Sequence, residues 1–301
     1  MVPLTLPVAS EAKPDNPASE KSRFVVDLTA DGVIRLGGKA TNLFDLTAEL
    51  TRQKLLHAYA RKMQGLEPFR RIGGRNISHL GVLMRAHKDA PSRHVGWILM
   101  TLMDSGFYDV EFGVKRRADR SYAKKEAASL GAEWRDVPAP ASPRVEASLA
   151  HRIEHYSVIY PLGTNPKVQS MSQILVEITP LEEREIAWGA AGMLVKVPVR
   201  VRYAIEAIDD PDSMETPAPA VVTSDLQALG RLIQEGKRKL GKDLVVGVVR
   251  PRPRIPFKYV IAVLNQFLKR GISRHRLAWR GKPPSYELVK KRELPYPDRG
   301  G

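Results

Sequence analysis

The chain of 301 residues contains no cysteine. Disulfides and thiolate metal sites are thereby excluded, while the compartment is left open. Long apolar runs are missing too, since no window approaches the roughly 20 uninterrupted apolar residues of a membrane span. The start, with Pro3, Pro7 and Glu11, has neither the charged lead nor the apolar centre of a secretory signal. The sequence as it stands is expected in the cytoplasm; if it is a trimmed piece of a longer protein, the expectation becomes the periplasm or a membrane-associated position. Also absent are Gly-x-Ser-x-Gly, the phosphate loop Gly-x-x-x-x-Gly-Lys-Ser/Thr and Gly-x-Gly-x-x-Gly, which removes the strongest markers of acyl-transfer and nucleotide enzymes. Gly37-Gly38 and Gly73-Gly74 read as turn glycines rather than phosphate cradles. No catalytic residue and no cofactor is expected, and the chain is read as not an enzyme.

What the sequence does have is cationic charge, unevenly placed. Arg231 to Gly301 carries 19 Lys/Arg against 5 Asp/Glu, whereas Met1 to Gly230 carries 29 against 28. Nearly the whole formal charge of +15 is therefore C-terminal. Such a field attracts polyanions or acidic protein surfaces. The apolar fraction of 43% is enough for real cores, and the length suits two ordinary domains.

Two stretches, Gly81 to Gly113 and Val246 to Ala278, align without a gap, Gly81 falling on Val246 and Gly113 on Ala278. Each reads strand, polar loop, proline, helix, glycine, strand. The first helix carries Val95, Ile98, Leu99, Leu102 and Met103 between Pro91 and Gly106; the second carries Val260, Val263, Leu264, Phe267 and Leu268 between Pro256 and Gly271. Proline is tolerated in a first helical turn and glycine suits the left-handed residue past the end, so both copies are bounded helices. Identical pairs are few: Arg85/Arg250, Pro91/Pro256, Val95/Val260, Leu99/Leu264 and Gly106/Gly271. Duplication is favoured over chance likeness of two βαβ units.

The fold class expected is α/β (α+β), with two tandem ββαβαβ mixed-sheet modules joined by a Pro/Ala-rich linker. Residues 1–22, rich in Pro, Ser, Ala and charge, read as a disordered arm. Residues 23–114 form module 1. It opens with Phe24 to Thr29, turns at Ala30-Asp31-Gly32 and returns as Val33 to Leu36. A helix follows with the stripe Leu43, Leu46, Leu50, Leu55 and Leu56, ending near Met63. Residues 115–150 are the linker, including Val137 to Pro143 and a short helix around Tyr122 to Leu130. Residues 151–280 form module 2. Ile174 to Thr179 echoes Phe24 to Thr29 and Glu185 to Gly189 echoes Ile34 to Gly38, so the alternating strand from Met193 to Ile208, with Pro198 favouring an edge, reads as an insertion. A helix capped at Ser224 ends at Gly241. Residues 281–301 read as a basic, proline-broken tail.

On the residues Val26 to Gly37, Val82 to Pro91 and Leu102 to Val110, this order resembles the soluble, periplasmic-type domain of the ExbD/TolR biopolymer-transport proteins, present here as a tandem pair. The resemblance covers about 90 residues of module 1 and, more loosely, about 105 of module 2. Family members carry an N-terminal transmembrane helix with a proton-conducting aspartate, which this chain lacks, so the proton-motive role does not carry over. They also tend to have an acidic residue where His87 stands. What the resemblance implies is an interaction domain that pairs with itself or with a partner strand through an exposed sheet edge.

The sharpest candidate for binding is Arg250-Pro251-Arg252-Pro253-Arg254. Alternating prolines hold a backbone extended, so the three arginines read as a stiff basic strip. With Lys258, Arg270, Arg274 and Arg276 it forms a candidate surface for an acidic partner or for phosphates. Lys269 and Arg280 add to the same charge. The expected partners are an acidic protein surface or a subunit of a membrane complex, with self-association through sheet edges and nucleic acid as further readings. Aromatics near the strip, Phe257, Tyr259 and Trp279, make no base-stacking platform. His151-Arg152-Ile153-Glu154-His155 fits the inverted zinc-protease spacing, with His151 and His155 as weak candidate ligands and Glu154 as the base. The β-branched and aromatic run to Tyr160 places the pair at a helix end and argues against the zinc reading, leaving a solvated or partner-facing His pair. No metal is expected. His87 and His94, flanking Pro91, read as polar loop residues.

Overall fold

The computed structural model describes residues 4–9, 13–14, 23–72, 75–116, 146–152, 172–188, 193–209, 220–242 and 245–278. In chain order the strands of the first half are β1 (Val8–Ala9), β2 (Lys13–Pro14), β3 (Arg23–Leu28), β4 (Ile34–Leu36) and β5 (Lys39–Thr41). Helix α1 (Leu43–Met63) precedes the hairpin β6 (Arg70–Ile72) and β7 (Arg75–Ile77), then β8 (Gly81–Ala86), α2 (Ser92–Asp104) and β9 (Asp109–Arg116). The second half holds β10 (Glu146–Arg152), β11 (Gln173–Trp188), β12 (Met193–Ile208), β13 (Val221–Thr223), α3 (Leu226–Leu240), β14 (Val246–Pro251), α4 (Phe257–Lys269) and β15 (Arg274–Leu277).

Two mixed sheets result, and their cores have one topology. The first contains the run β5-β4-β3-β8-β9 and the second is β13-β12-β11-β14-β15. Parallel and antiparallel neighbours correspond at every step: β3 is antiparallel to β4 and parallel to β8, as β11 is to β12 and β14. The likeness thus extends well beyond one βαβ unit, into the hairpin and the long helix before it. It corrects the reading of Met193 to Ile208 as an insertion: that strand, β12, holds the place of β4, while Glu185 to Trp188 is the end of a long β11 and not a separate returning strand.

Each sheet buries one face under two helices. Val26, Leu28, Val82, Met84 and Phe112 on the first and Ile174, Val176, Ile178 and Val249 on the second join a single apolar core with α2 and α4. The strands alternate as period two requires, sending charged partners to the opposite face. There Arg85 grips Asp27 through two bonds of 2.7 and 2.8 Å, and Arg23 pairs with Glu111. Gly113 makes room for Arg85, because a Cβ on it would lie 2.8 Å from Arg85 Cγ. In the second sheet Gly247 admits the Phe267 ring in the same manner, at 2.7 Å.

Several sequence expectations are corrected. Residues 1–22 are not uniformly an unpacked arm: Val8 and Ala9 pair in parallel with Lys115 and Arg116, Leu6 and Ala9 are buried, and Lys88 N–H donates to Thr5 O at 2.7 Å. Averaging composition over the whole arm hid the short apolar run Leu4 to Ala9. Residues 146–152, divided between linker and module 2 on sequence grounds, form β10 and pair with β9 of the first sheet from Glu146↔Lys115 to Arg152↔Asp109. Helix α3 is capped by Asp225 rather than Ser224, its carboxylate accepting from Gln227 and Ala228 N–H. Leu55 and Leu56 do not belong to the buried stripe of α1, for both are exposed while Leu43, Leu46, Leu50 and Ala58 face inward.

Pro198 lies in the outer half of β12, beyond the Tyr203–Ile205 stretch that β13 covers, where a missing N–H costs no ladder bond on that side. Opposite it the register shifts between Pro180 and Glu183. The segment Tyr122 to Leu130, the run Val137 to Pro143 and the tail from Gly281 lie outside the described residues.

Candidate functional site

The two modules meet through their equivalent proline loops. Neither α2 nor α4 has a side-chain N-cap, since the capping position is Pro91 in one and Pro256 in the other. The first N–H groups of a helix need acceptors from elsewhere, and here each helix takes them from the opposite module. Ser92 N–H donates to Ile255 O at 2.8 Å, and Phe257 N–H donates to Ala90 O at 2.9 Å. Arg93 N–H donates to Pro253 O at 3.2 Å, and Lys258 N–H donates to Lys88 O at 2.8 Å. Replacing the residues of one bond by their repeat equivalents yields the other bond of its pair, with donor and acceptor modules exchanged. The junction is therefore a pseudo-twofold interface of the isologous kind seen in symmetric dimers.

The far ends of the same helices repeat this likeness. Lys54 of α1 donates to the C-cap carbonyl of Ser105 at 3.1 Å, and Lys237 of α3 donates to that of Arg270 at 2.9 Å. A cation at a helix C-terminus satisfies a free carbonyl and opposes the dipole. Gly106 and Gly271 follow with φ of 85° and 68°, the left-handed turn that glycine allows.

Charge breaks the symmetry. Lys258 Nζ bonds Asp89 Oδ1 at 2.8 Å across the junction, while the equivalent positions hold Arg93 and Arg254, two cations that cannot pair with each other. Arg93 lies over the Trp97 ring at 5.6 Å. Phe112 meets Phe257 edge-on at 5.2 Å beneath the junction.

The seven basic candidates fall in three places: the outer sheet face, the junction loop between β14 and α4 that holds Arg252 and Arg254, and α4 with its C-terminal end. Register puts Arg274 beside Val246 and Arg276 beside Val248, with Arg250 two residues further along β14, so these three share the sheet face that turns away from α3 and α4. That face also carries the small apolar cluster of Leu175, Val246 and Val248. Arg276 is only 5% exposed, and burial lowers its guanidinium to about 10. Arg252 reaches Glu177 at 3.1 Å, and its N–H donates to Ile178 O. Lys258 and Arg270 belong to α4 and its C-terminal end, on the other side of the sheet. Arg270 donates to Gly230 O at 3.0 Å, filling the space left by that glycine between α3 and α4. The run from Arg250 to Arg254 is thus no free strip: Pro251 sits in β14 and the carbonyls of Arg252 and Pro253 accept from Ser92 and Arg93 of the other module. Composition cannot reveal this, because the donors those carbonyls serve belong to the other half of the chain.

His151 lies in β10 opposite Val110, in a strand rather than a helix, and Glu154 and His155 lie outside the described residues. Among the described residues no group of three or more His, Asp or Glu is placed to hold a metal. His94 is in α2, not in the loop; it is 4% exposed, touches Trp97 at 5.0 Å, and burial pushes it down to about 3. His87 remains a loop residue whose Nδ1 accepts from Asp89 N–H at 3.1 Å. His275, missed in the sequence, is buried against Phe267 and lowered to about 4. Both buried imidazoles are neutral near pH 7 and read as parts of the core.

Sheet edges complete the surface. At one end of the second sheet β13 pairs with β12 on one side through Tyr203↔Thr223, Ala204↔Val222 and Ile205↔Val221, and has no other neighbour among the described residues. Val221 and Val222 are 51% and 57% exposed. The corresponding edge strand β5 carries Lys39, a residue that blunts strand pairing. No helix of the described residues is long and apolar enough to cross a membrane. No family model, no curated protein and no solved structure matches the chain.

Proposed function

We propose that the chain is a non-enzymatic interaction protein, similar in its modules to the soluble domain of ExbD/TolR proteins, that receives an extended acidic segment of a partner along the edge of the second sheet. The partner belongs to a membrane transport or energy-transducing complex. The observation that carries this reading is β13, a short apolar edge strand with exposed Val221 and Val222 where its counterpart in module 1 has lysine. Strand addition supplies main-chain hydrogen bonds, and the cationic C-terminal half supplies attraction for acidic side chains. The test is capture of membrane-complex subunits by the wild-type chain and by Val221→Asp/Val222→Asp, with nuclease present. Nuclease-insensitive capture that the double variant loses supports the reading; capture unchanged in the variant removes the edge from it.

A second reading, nucleic-acid binding, is favoured by one observation, the shared face of Arg250, Arg274 and Arg276. It expects a gel shift that vanishes at moderate salt and on Arg250→Glu/Arg274→Glu. A shift insensitive to those substitutions removes it.

A further inference from the structure

We propose that the outward face of α1 is a docking surface for an anionic lipid bilayer. This helix is apolar on two sides. Leu43, Leu46, Leu50 and Ala58 face the core, while Leu55, Tyr59 and Met63, each one turn apart, are 60%, 65% and 70% exposed, with Leu56 and Leu66 beside them. A helix apolar on both faces ordinarily has cover on both. The duplicated module supplies an internal comparison: the exposed positions of α3 are Gln227, Arg231, Gln234, Glu235, Arg238 and Lys239, all polar. The apolar outer face is therefore particular to α1 and not a property of the fold.

Charge around the stripe selects the occupant. From Arg52 to Arg75 the chain has seven Lys/Arg and one carboxylate, Glu67. Arg52 is held by Glu49, Lys54 by the Ser105 carbonyl and Arg70 by Asp109, while Lys62, Arg71 and Arg75 are exposed. By helical spacing Lys62 shares the outward face with Leu55 and Tyr59, as does Arg52, which is paired with Glu49 at 2.6 Å. The stripe is the convex side of a single helix. A planar, deformable surface accepts such a ridge, with apolar side chains entering the interface and the flanking cations reaching the phosphates. A second copy would bring the same cations into opposition, which disfavours self-association there.

The test is sedimentation of the full chain with phosphatidylcholine vesicles, with and without phosphatidylglycerol. Binding to the anionic vesicles alone is expected, and Leu55→Gln/Tyr59→Gln lowers the partition roughly tenfold or more. Glutamine is a good helix former, so circular dichroism of the variant stays that of the wild type. Three results overturn the proposal: no binding to anionic vesicles, equal partition of variant and wild type, or a concentration-dependent dimer that the variant dissolves. The edge variants at Val221 and Val222 leave vesicle binding unchanged, which separates this surface from the strand edge.

Discussion

Pro91 and Pro256 face each other as an isolated antiparallel bridge at the junction of the two modules. They are also the residues that occupy equivalent positions in the two repeats, so the pseudo-twofold axis passes between a residue and its own duplicate. Proline's chemistry accounts for this. It ends the loop with fixed φ, offers no side-chain cap and leaves the next two N–H groups to be satisfied from outside.

Amide exchange tests that arrangement. The N–H groups of Ser92, Arg93, Phe257 and Lys258 stand at helix starts, where exchange is ordinarily rapid. Each donates across the junction instead. All four are expected to be protected and to open together, since separating the modules breaks both pairs of bonds at once. Fast, independent exchange at Ser92 and Phe257 counts against a rigid junction.

Gly247 is a second point of leverage. A Cβ there would stand 2.7 Å from the Phe267 ring, and that ring is fully buried in the shared core. Neither the strand backbone nor a packed aromatic yields cheaply. Gly247→Ala is expected to lower unfolding free energy by about 1–3 kcal/mol, read from the urea midpoint. Gly241→Ala, with φ of 59° and open space around it, serves as a comparison in which backbone strain alone acts.

Much of this architecture is legible in the sequence, because the features that specify it are local. Alternation in Phe24 to Thr29, the Pro and Gly bounds of α2 and α4, and the terminal glycine Gly241 each carry their own physical reason. What escapes is non-local. Leu55 and Leu56 sit within reach of the right helical pattern, and only the position of the sheet shows that they lie beyond it. Arg252 and Arg270 read as binding residues because a charge run looks the same whether its members meet solvent or Glu177 and the carbonyl of Gly230. The short arm from Leu4 to Ala9 finds its place only once β9 exists to pair with it.

The Asp89–Lys258 pair bridges the junction at positions whose sequence equivalents cannot repeat it. Both side chains are more than a third exposed, so solvent screens them and a gain of roughly 0.2–1 kcal/mol is expected. A double-mutant cycle of Asp89→Asn and Lys258→Met should return a coupling of that order, falling at high salt. Coupling well above it would mean that the pair sets the geometry of the junction as well as adding attraction.

Stability should depend on pH through His94 and His275. Burial lowers them from the ordinary 6.5 to about 3 and about 4. In the unfolded chain each takes a proton as pH falls through its ordinary value, while in the folded protein it stays neutral. The unfolded state therefore binds more protons between those limits, and unfolding free energy declines as pH falls, by up to roughly 1.4 kcal/mol per pH unit for each histidine. The stability that neutrality confers is fully present above pH 6.5 and is lost by the time pH reaches the folded values. His94→Gln removes one titrating group without removing a polar side chain. Urea unfolding followed from pH 7 downward is expected to show a shallower decline in the variant, with His57, His79 and His87, also lowered by burial, contributing to the slope that remains. Parallel curves for variant and wild type would mean that His94 reaches solvent.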